Sequence, residues 1–199
     1  MLNSVEVRWV FEGKLPEVME TWADTFQAKH QPVRTDYYFH KHDQGTLGIK
    51  LREGNIQIKP LINTLSKYSF GAHEGQLEQY TKWSYAVEDN KEWSFMIQHP
   101  ETWVEITKSR KMTRFTLEGG FPDRIEMGVN VEEGCEMELS HLSVRDQDYW
   151  TLAFEAFGTT PEENLHKVLR HIFETSEPPV TLSLENSFGY AQLIHDIQS

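Results

Sequence analysis

The chain has 199 residues, 38% hydrophobic and 25% charged, which is the balance of an ordinary soluble globular protein with slightly more aromatics than usual. Its formal net charge of −12 excludes general nucleic-acid binding, which needs a basic footprint to displace counterions. With no long apolar run for a membrane span, no signal-peptide pattern in "MLNSVEVRWVFEG" and the single Cys135 unable to pair internally, a reducing, cytoplasmic setting is expected.

No repeat, low-complexity tract or long Gly/Ser linker interrupts the chain, so residues 1–199 read as one domain. "SVEVRWVF" alternates Ser4, Glu6 and Arg8 against Val5, Val7 and Trp9, the period of a strand. "LPEVMETWADTFQAK" follows with Leu15, Val18, Met19, Trp22 and Phe26 at helical spacing and Pro16 early, where a helix tolerates it. "VRTDYYFH" is β-branched and aromatic and reads as a strand.

The stretch "TLGIKLREGNIQIKP" predicts a hairpin. A two-residue turn at Glu53-Gly54 sets Arg52 opposite Asn55, Lys50 opposite Gln57 and Gly48 opposite Lys59. Ile49, Leu51, Ile56 and Ile58 then share one apolar face, and Lys50, Arg52 and Lys59 share the polar one.

Residues 61–76 read as a loop. "LEQYTKWSYAVED" and "TWVEITKS" read as strands, with a short helix around "EWSFMIQ" between them. Four strand candidates follow: "KMTRFTLE", "RIEMGVNV", "CEMELSHLSV" and "DYWTLAFEAFG". "TTPEENLHKVLRHIFET" has a Thr cap, an early Pro and two Glu before a helical period. "PPVTLSLENS" reads as a linker and "SFGYAQLIHDI" as a short terminal helix. The total is about eight or nine strands with helices at both ends.

Their polar faces collect Glu6, Arg8, Lys50, Arg52, Lys59, Lys82, Arg124, Glu126, Glu136, Glu138 and Glu155. Such alternation has two readings. It is the solvated outer face of an antiparallel sheet packed on one core. Or it is the polar interior of a closed barrel whose apolar outside is covered by helices.

The order of these motifs resembles the CYTH family, the triphosphate tunnel enzymes, which include class IV adenylate cyclases, thiamine triphosphatases and inorganic triphosphatases. That family opens on a strand reading E-x-E-x-K, and "SVEVR" stands in the slot. "TDYYF" resembles its "TYYDT"-like strand, and "LGIKLREGNIQIK" its "LRIR" strand and lysine-ending strand. "CEMELS" or "LAFEAF" fills the place of its alternating carboxylates, and "NSFGYAQLI" its closing segment.

The resemblance implies an α+β fold, an eight-stranded antiparallel β-barrel with flanking helices. It implies that Arg8, Lys50, Arg52, Lys59, Lys82 and Arg124 face inward to bind a small phosphorylated anion, a triphosphate or similar polyanion. It further implies Mg²⁺ or Mn²⁺ held by Glu6, Glu136, Glu138 and Glu155, and release of phosphate from inorganic or small organic triphosphates. Two departures leave binding without turnover as the alternative: Ser4 replaces the first family glutamate, and Arg8 the lysine.

His40 and His42 share a strand face, although exposed histidine pairs more often hold no metal. Cys135 reads as a small buried residue, and the six tryptophans as packing between helices and wall. Nothing in the sequence bears on oligomeric state.

Overall fold

The strand-period segments close on one another. The computed structural model describes residues 2–40, 45–87, 97–99 and 101–198. Its strands are β1 (Leu2–Glu12), β2 (Lys29–Phe39), β3 (Leu47–Arg52), β4 (Asn55–Phe70), β5 (His73–Ala86), β6 (Trp103–Thr116), β7 (Asp123–Ile125), β8 (Gly134–Val144) and β9 (Gln147–Phe157). The helices are α1 (Glu17–Thr25), α2 (Pro161–Thr175) and α3 (Tyr190–Gln198), with a single 3₁₀ turn at Leu184–Asn186.

Around the wall the order is β1-β9-β8-β6-β2-β3-β4-β5, and β5 returns to β1. Each pairing is antiparallel, so the expected α+β architecture with a closed eight-stranded barrel is borne out. Strand β7 pairs only with the last residues of β6.

Closure sorts the side chains. On β1, Val5, Val7 and Trp9 point outward, as do Met137 and Leu139 on β8 and Leu152 and Phe154 on β9. Helix α2 covers them with Leu165, Val168, Leu169, Ile172 and Phe173, the spacing of one helix face, and α1 adds Met19 and Trp22. The main core therefore lies outside the barrel. Two indoles fasten it: Trp9 Nε1 donates to the Glu74 carbonyl at 2.7 Å, and Trp22 Nε1 to the Ser176 carbonyl at 2.9 Å. Position 75 must be glycine, because a Cβ there would lie 2.5 Å from the Trp9 ring.

A smaller apolar cluster sits inside. Val10, Ile106, Leu142, Val144 and Tyr149 share parity with the inward charges of their strands and meet Leu193 and Ile194 of α3. They close one end, so the barrel is blind at that end rather than an open tunnel.

Several boundaries differ from the sequence reading. Residues 61–70 continue β4, and only a short turn at Gly71 (φ 56°) separates it from β5. Register shifts between Leu61 and Asn63 and between Thr64 and Lys67 break the alternation, which hid the strand. "TWVEITKS" and "KMTRFTLE" are one strand, β6, whereas "RIEMGVNV" contributes only Arg124 and Ile125 to the three-residue β7. The "PPVTLSLENS" segment is not a free linker: Ser187 bridges to Trp9, and Leu182 N–H donates to His73 Nδ1 at 3.2 Å. His42 and most of "EWSFMIQ" lie outside the described residues. Among the described residues, no helix is long and apolar enough to cross a membrane.

Phe173 joins α2 to the wall through ring contacts with Tyr68, Phe70, His73 and Phe154. Phe173→Ala is expected to cost ~3–5 kcal/mol in urea unfolding, the scale of a buried aromatic truncation. A cost below ~1 kcal/mol would show that α2 is not integral to the fold.

Candidate anion-binding cavity

Above the apolar floor, the inward parity of the strands delivers charge. Eight cationic side chains and four carboxylates line one cavity of about 220 Å³. Of the residues singled out in the sequence, Arg8, Lys50, Arg52, Lys59 and Lys82 reach it, with Glu6, Glu136, Glu138 and Glu155. The hairpin register is the one expected, with Lys50 opposite Gln57 and Gly48 opposite Lys59. Its turn residues Glu53 (φ 46°) and Gly54 (φ 76°) both take the left-handed backbone that a tight hairpin requires.

Arg124 is not brought to the cavity. It pairs in register with Phe115, whose ring belongs to the outer core, and its guanidinium lies 3.2 Å from exposed Glu126. Three cations that the sequence reading did not single out take part instead: Arg34, Lys108 and Arg110. Strict alternation along an unbroken β6 would have found two of them, since Ile106, Lys108, Arg110 and Met112 share parity.

Asp36 organises one side of the cavity. It is fully buried on β2, and its carboxylate accepts from Arg52 Nε at 2.8 Å and Arg52 Nη2 at 2.9 Å. Lys50 Nζ donates to it at 3.3 Å, while Arg34 Nε and Lys108 Nζ stand at 3.5 and 3.6 Å. Burial alone would raise the Asp36 carboxyl; Arg52, Lys50 and Lys108 outweigh it and hold it well below the usual carboxylate range.

One carboxylate cannot satisfy four cations. Burial, with Arg52, Arg34 and Lys82 nearby, pushes Lys50 down to about 7 despite Asp36. Lys108 is buried completely and is also pushed well down, first by burial and then by Lys50. Its ammonium donates to Tyr38 Oη at 2.7 Å and lies 3.5 Å from the Tyr190 ring centroid. Tyr190 comes from α3, so the C-terminal helix supplies part of the cavity floor.

The opposite side is satisfied. Arg8 Nε donates to Glu6 at 2.7 Å, and Lys59 Nζ contacts Glu6 at 2.5 Å and Glu155 at 3.0 Å. Burial would raise Glu6, but Arg8 and Lys59 bring it down to about 2. Glu138, between Arg8 and Arg110, is likewise held at about 2 against its burial. Glu136 pairs with Arg114 at 3.1 Å.

These pairings bear on the Mg²⁺ or Mn²⁺ that the family resemblance implies. The carboxylates are committed to basic side chains. Among the described residues, no three His, Cys, Asp or Glu side chains converge where a metal ion would sit. The donor set as arranged does not fit a resident divalent ion.

No protein-family model matches the chain, and no curated protein matches it. Among solved structures, the PH1012 protein of Pyrococcus horikoshii OT3 is similar at 14% identity and a TM-score of 0.51, covering 94% of this chain and 98% of its own. A conserved hypothetical protein from Pyrococcus furiosus aligns at 15% identity and TM-score 0.48, over 94% of this chain and 99% of that one. A structure described as a "putative adenylate cyclase" from Bacillus halodurans aligns at 15% identity and TM-score 0.46, over 92% and 96%. At these identities the first likeness speaks to the fold alone.

Removing the shared carboxylate tests its role. Asp36→Asn leaves four basic groups without their common partner and is expected to cost ~3–5 kcal/mol, as for other broken buried pairs. Thermal and urea unfolding measure that loss. No destabilisation would mean that Asp36 is not what holds these cations in place.

Proposed function

We propose that the chain binds a small polyanion of the triphosphate class in the blind cavity. One observation carries the reading: a chain of net charge −12 places eight cationic side chains around one cavity against four lining carboxylates and Asp36 buried behind them. Desolvating so many like charges is unfavourable unless an anion completes the site.

The under-satisfied side receives the anion. Arg52, held in a bidentate pair by Asp36, adds its positive charge at the wall, and Lys50 and Lys82 supply point charges there. Lys108 lies deepest, against Tyr38 and Tyr190. The volume sets a size limit. At about 220 Å³ the cavity is smaller than the ~300 Å³ at which sites for whole organic ligands begin, so any organic group on the anion stays at the mouth.

Binding and turnover separate here. The residues present bind and orient phosphoryl oxygens, and their inward placement shields the anion from the acidic exterior. Metal-dependent release of phosphate needs divalent-ion ligands that are free of the basic side chains. Isothermal calorimetry with tripolyphosphate should therefore detect binding, whereas phosphate release with Mg²⁺ or Mn²⁺ should not exceed the protein-free control. Release well above that control returns the hydrolytic reading; no binding at any pH removes the polyanion reading.

Lys50→Ala or Arg52→Ala is expected to weaken tripolyphosphate binding by ~1–3 kcal/mol each, the scale of a lost charge-assisted hydrogen bond. The pH dependence has a definite sign. Lys50 is charged below about 7 and neutral above it in the free protein, and a bound anion raises that value. Affinity should fall as pH rises through about 7, and binding there should be accompanied by proton uptake. Calorimetry in buffers of different ionisation enthalpy measures that uptake, which Lys50→Ala should reduce.

A further inference from the structure

The inward row across β5, β1, β9 and β8 is acidic at one level: Glu78 pairs in register with Glu6, Glu6 with Glu155, and Glu155 with Glu136. Side chains directly opposite in a sheet stand about 5 Å apart, so the row is self-repelling unless a cation enters it. Lys59 enters it. From β4 it reaches past β5, over the Tyr80 ring at 4.6 Å, and sets Nζ against both Glu6 and Glu155. Ser4 Oγ donates to the same Glu155 oxygen at 2.8 Å, which leaves Lys59 bonded on the strand side by a fixed set of partners.

We infer that the Lys59 ammonium is a resident counterion, held where a divalent cation would otherwise lie between Glu6 and Glu155, so that polyanion binding in this cavity needs no metal. The inference rests on the proposed binding function for its second half only. It divides the cations into two classes. Lys59 and Arg8 are spent on carboxylates; Lys50, Lys82, Lys108 and Arg34 lack a full carboxylate partner and face the anion. Ser4 fits this division. A further carboxylate at that position would face Glu155 and add to the repulsion in the row, whereas a hydroxyl donates to it.

Lys59→Met removes the ammonium and keeps the apolar stem. Titration with Mn²⁺ followed by electron paramagnetic resonance, without any anion, should show the wild-type chain leaving Mn²⁺ free. The variant should bind Mn²⁺ at least about tenfold more tightly, and Lys59→Met with Glu155→Gln should lose that gain. Wild-type tripolyphosphate binding should persist in a chelator and should not be strengthened by added Mg²⁺, which itself complexes the free anion. Tight Mn²⁺ binding by the wild-type chain overturns the inference, as does a folded Lys59→Met that gains none. If that variant does not fold, the wild-type titration and the chelator comparison still decide. Failure of tripolyphosphate to bind under either condition removes the proposed function, while the Mn²⁺ titrations judge the counterion independently.

Discussion

Asp36 is the constraint on which the cavity depends. A carboxylate with no exposed surface stands within 3.6 Å of basic nitrogens from Arg34, Lys50, Arg52 and Lys108, contributed by β2, β3 and β6. These strands meet only because β2 joins β3 on one edge and β6 on the other. The pairing of β2 with β6 that closes the barrel thus also assembles the charge cluster. In turn the cluster opposes closure unless its excess of positive charge is met, and one carboxylate meets only part of it.

Stability must come from elsewhere, because buried ion pairs seldom repay their desolvation. The outer core supplies it. Trp9, Met137, Leu139, Leu152 and Phe154 on the wall pack under the apolar face of α2. The usual arrangement of a small barrel, with apolar filling inside, is retained only at the end closed by Leu193 and Ile194. Inverting the remainder frees the interior for polar groups without leaving the sheet unsupported. It also separates the requirements of folding from those of the site: α2 contacts the wall from outside, while α3 sends Tyr190 into the cavity.

How much of this was legible in the sequence follows from period and register. The hairpin at residues 46–60 was readable because a Glu-Gly turn fixes the pairing, and strict alternation then fixes which face each cation takes. Strand β4 beyond Leu61 was not, because two register shifts exchange the faces and erase the period. Lys108 and Arg110 were missed by splitting β6 at Ser109, which discarded their shared parity with Ile106. Arg124 was misplaced for the opposite reason: a three-residue strand has too little period to reveal its face, and its register against Phe115 turns it outward. Asp36 gave no signal of its own. An aspartate in the middle of a strand is unusual, but its four partners come together only through tertiary closure.

The two sides of the cavity therefore differ in kind, and that difference gives a bound anion a direction. On the β1–β9 side Glu6, Glu155 and Glu138 already hold Arg8 and Lys59, so an approaching phosphate meets carboxylates as well as cations there. On the β2–β3–β6 side it meets Lys50, Arg52 and Lys108, with Asp36 as the one carboxylate in direct contact with all three and Glu138 farther off. The low dielectric of the blind end strengthens both the repulsion and the attraction relative to water. Under the proposed reading, the most highly charged end of the anion lies deep, against Lys108 and Lys50, and the less charged end points toward the open rim. Coulomb asymmetry across the barrel orients the ligand, while the apolar floor beneath Tyr190 limits how far it descends.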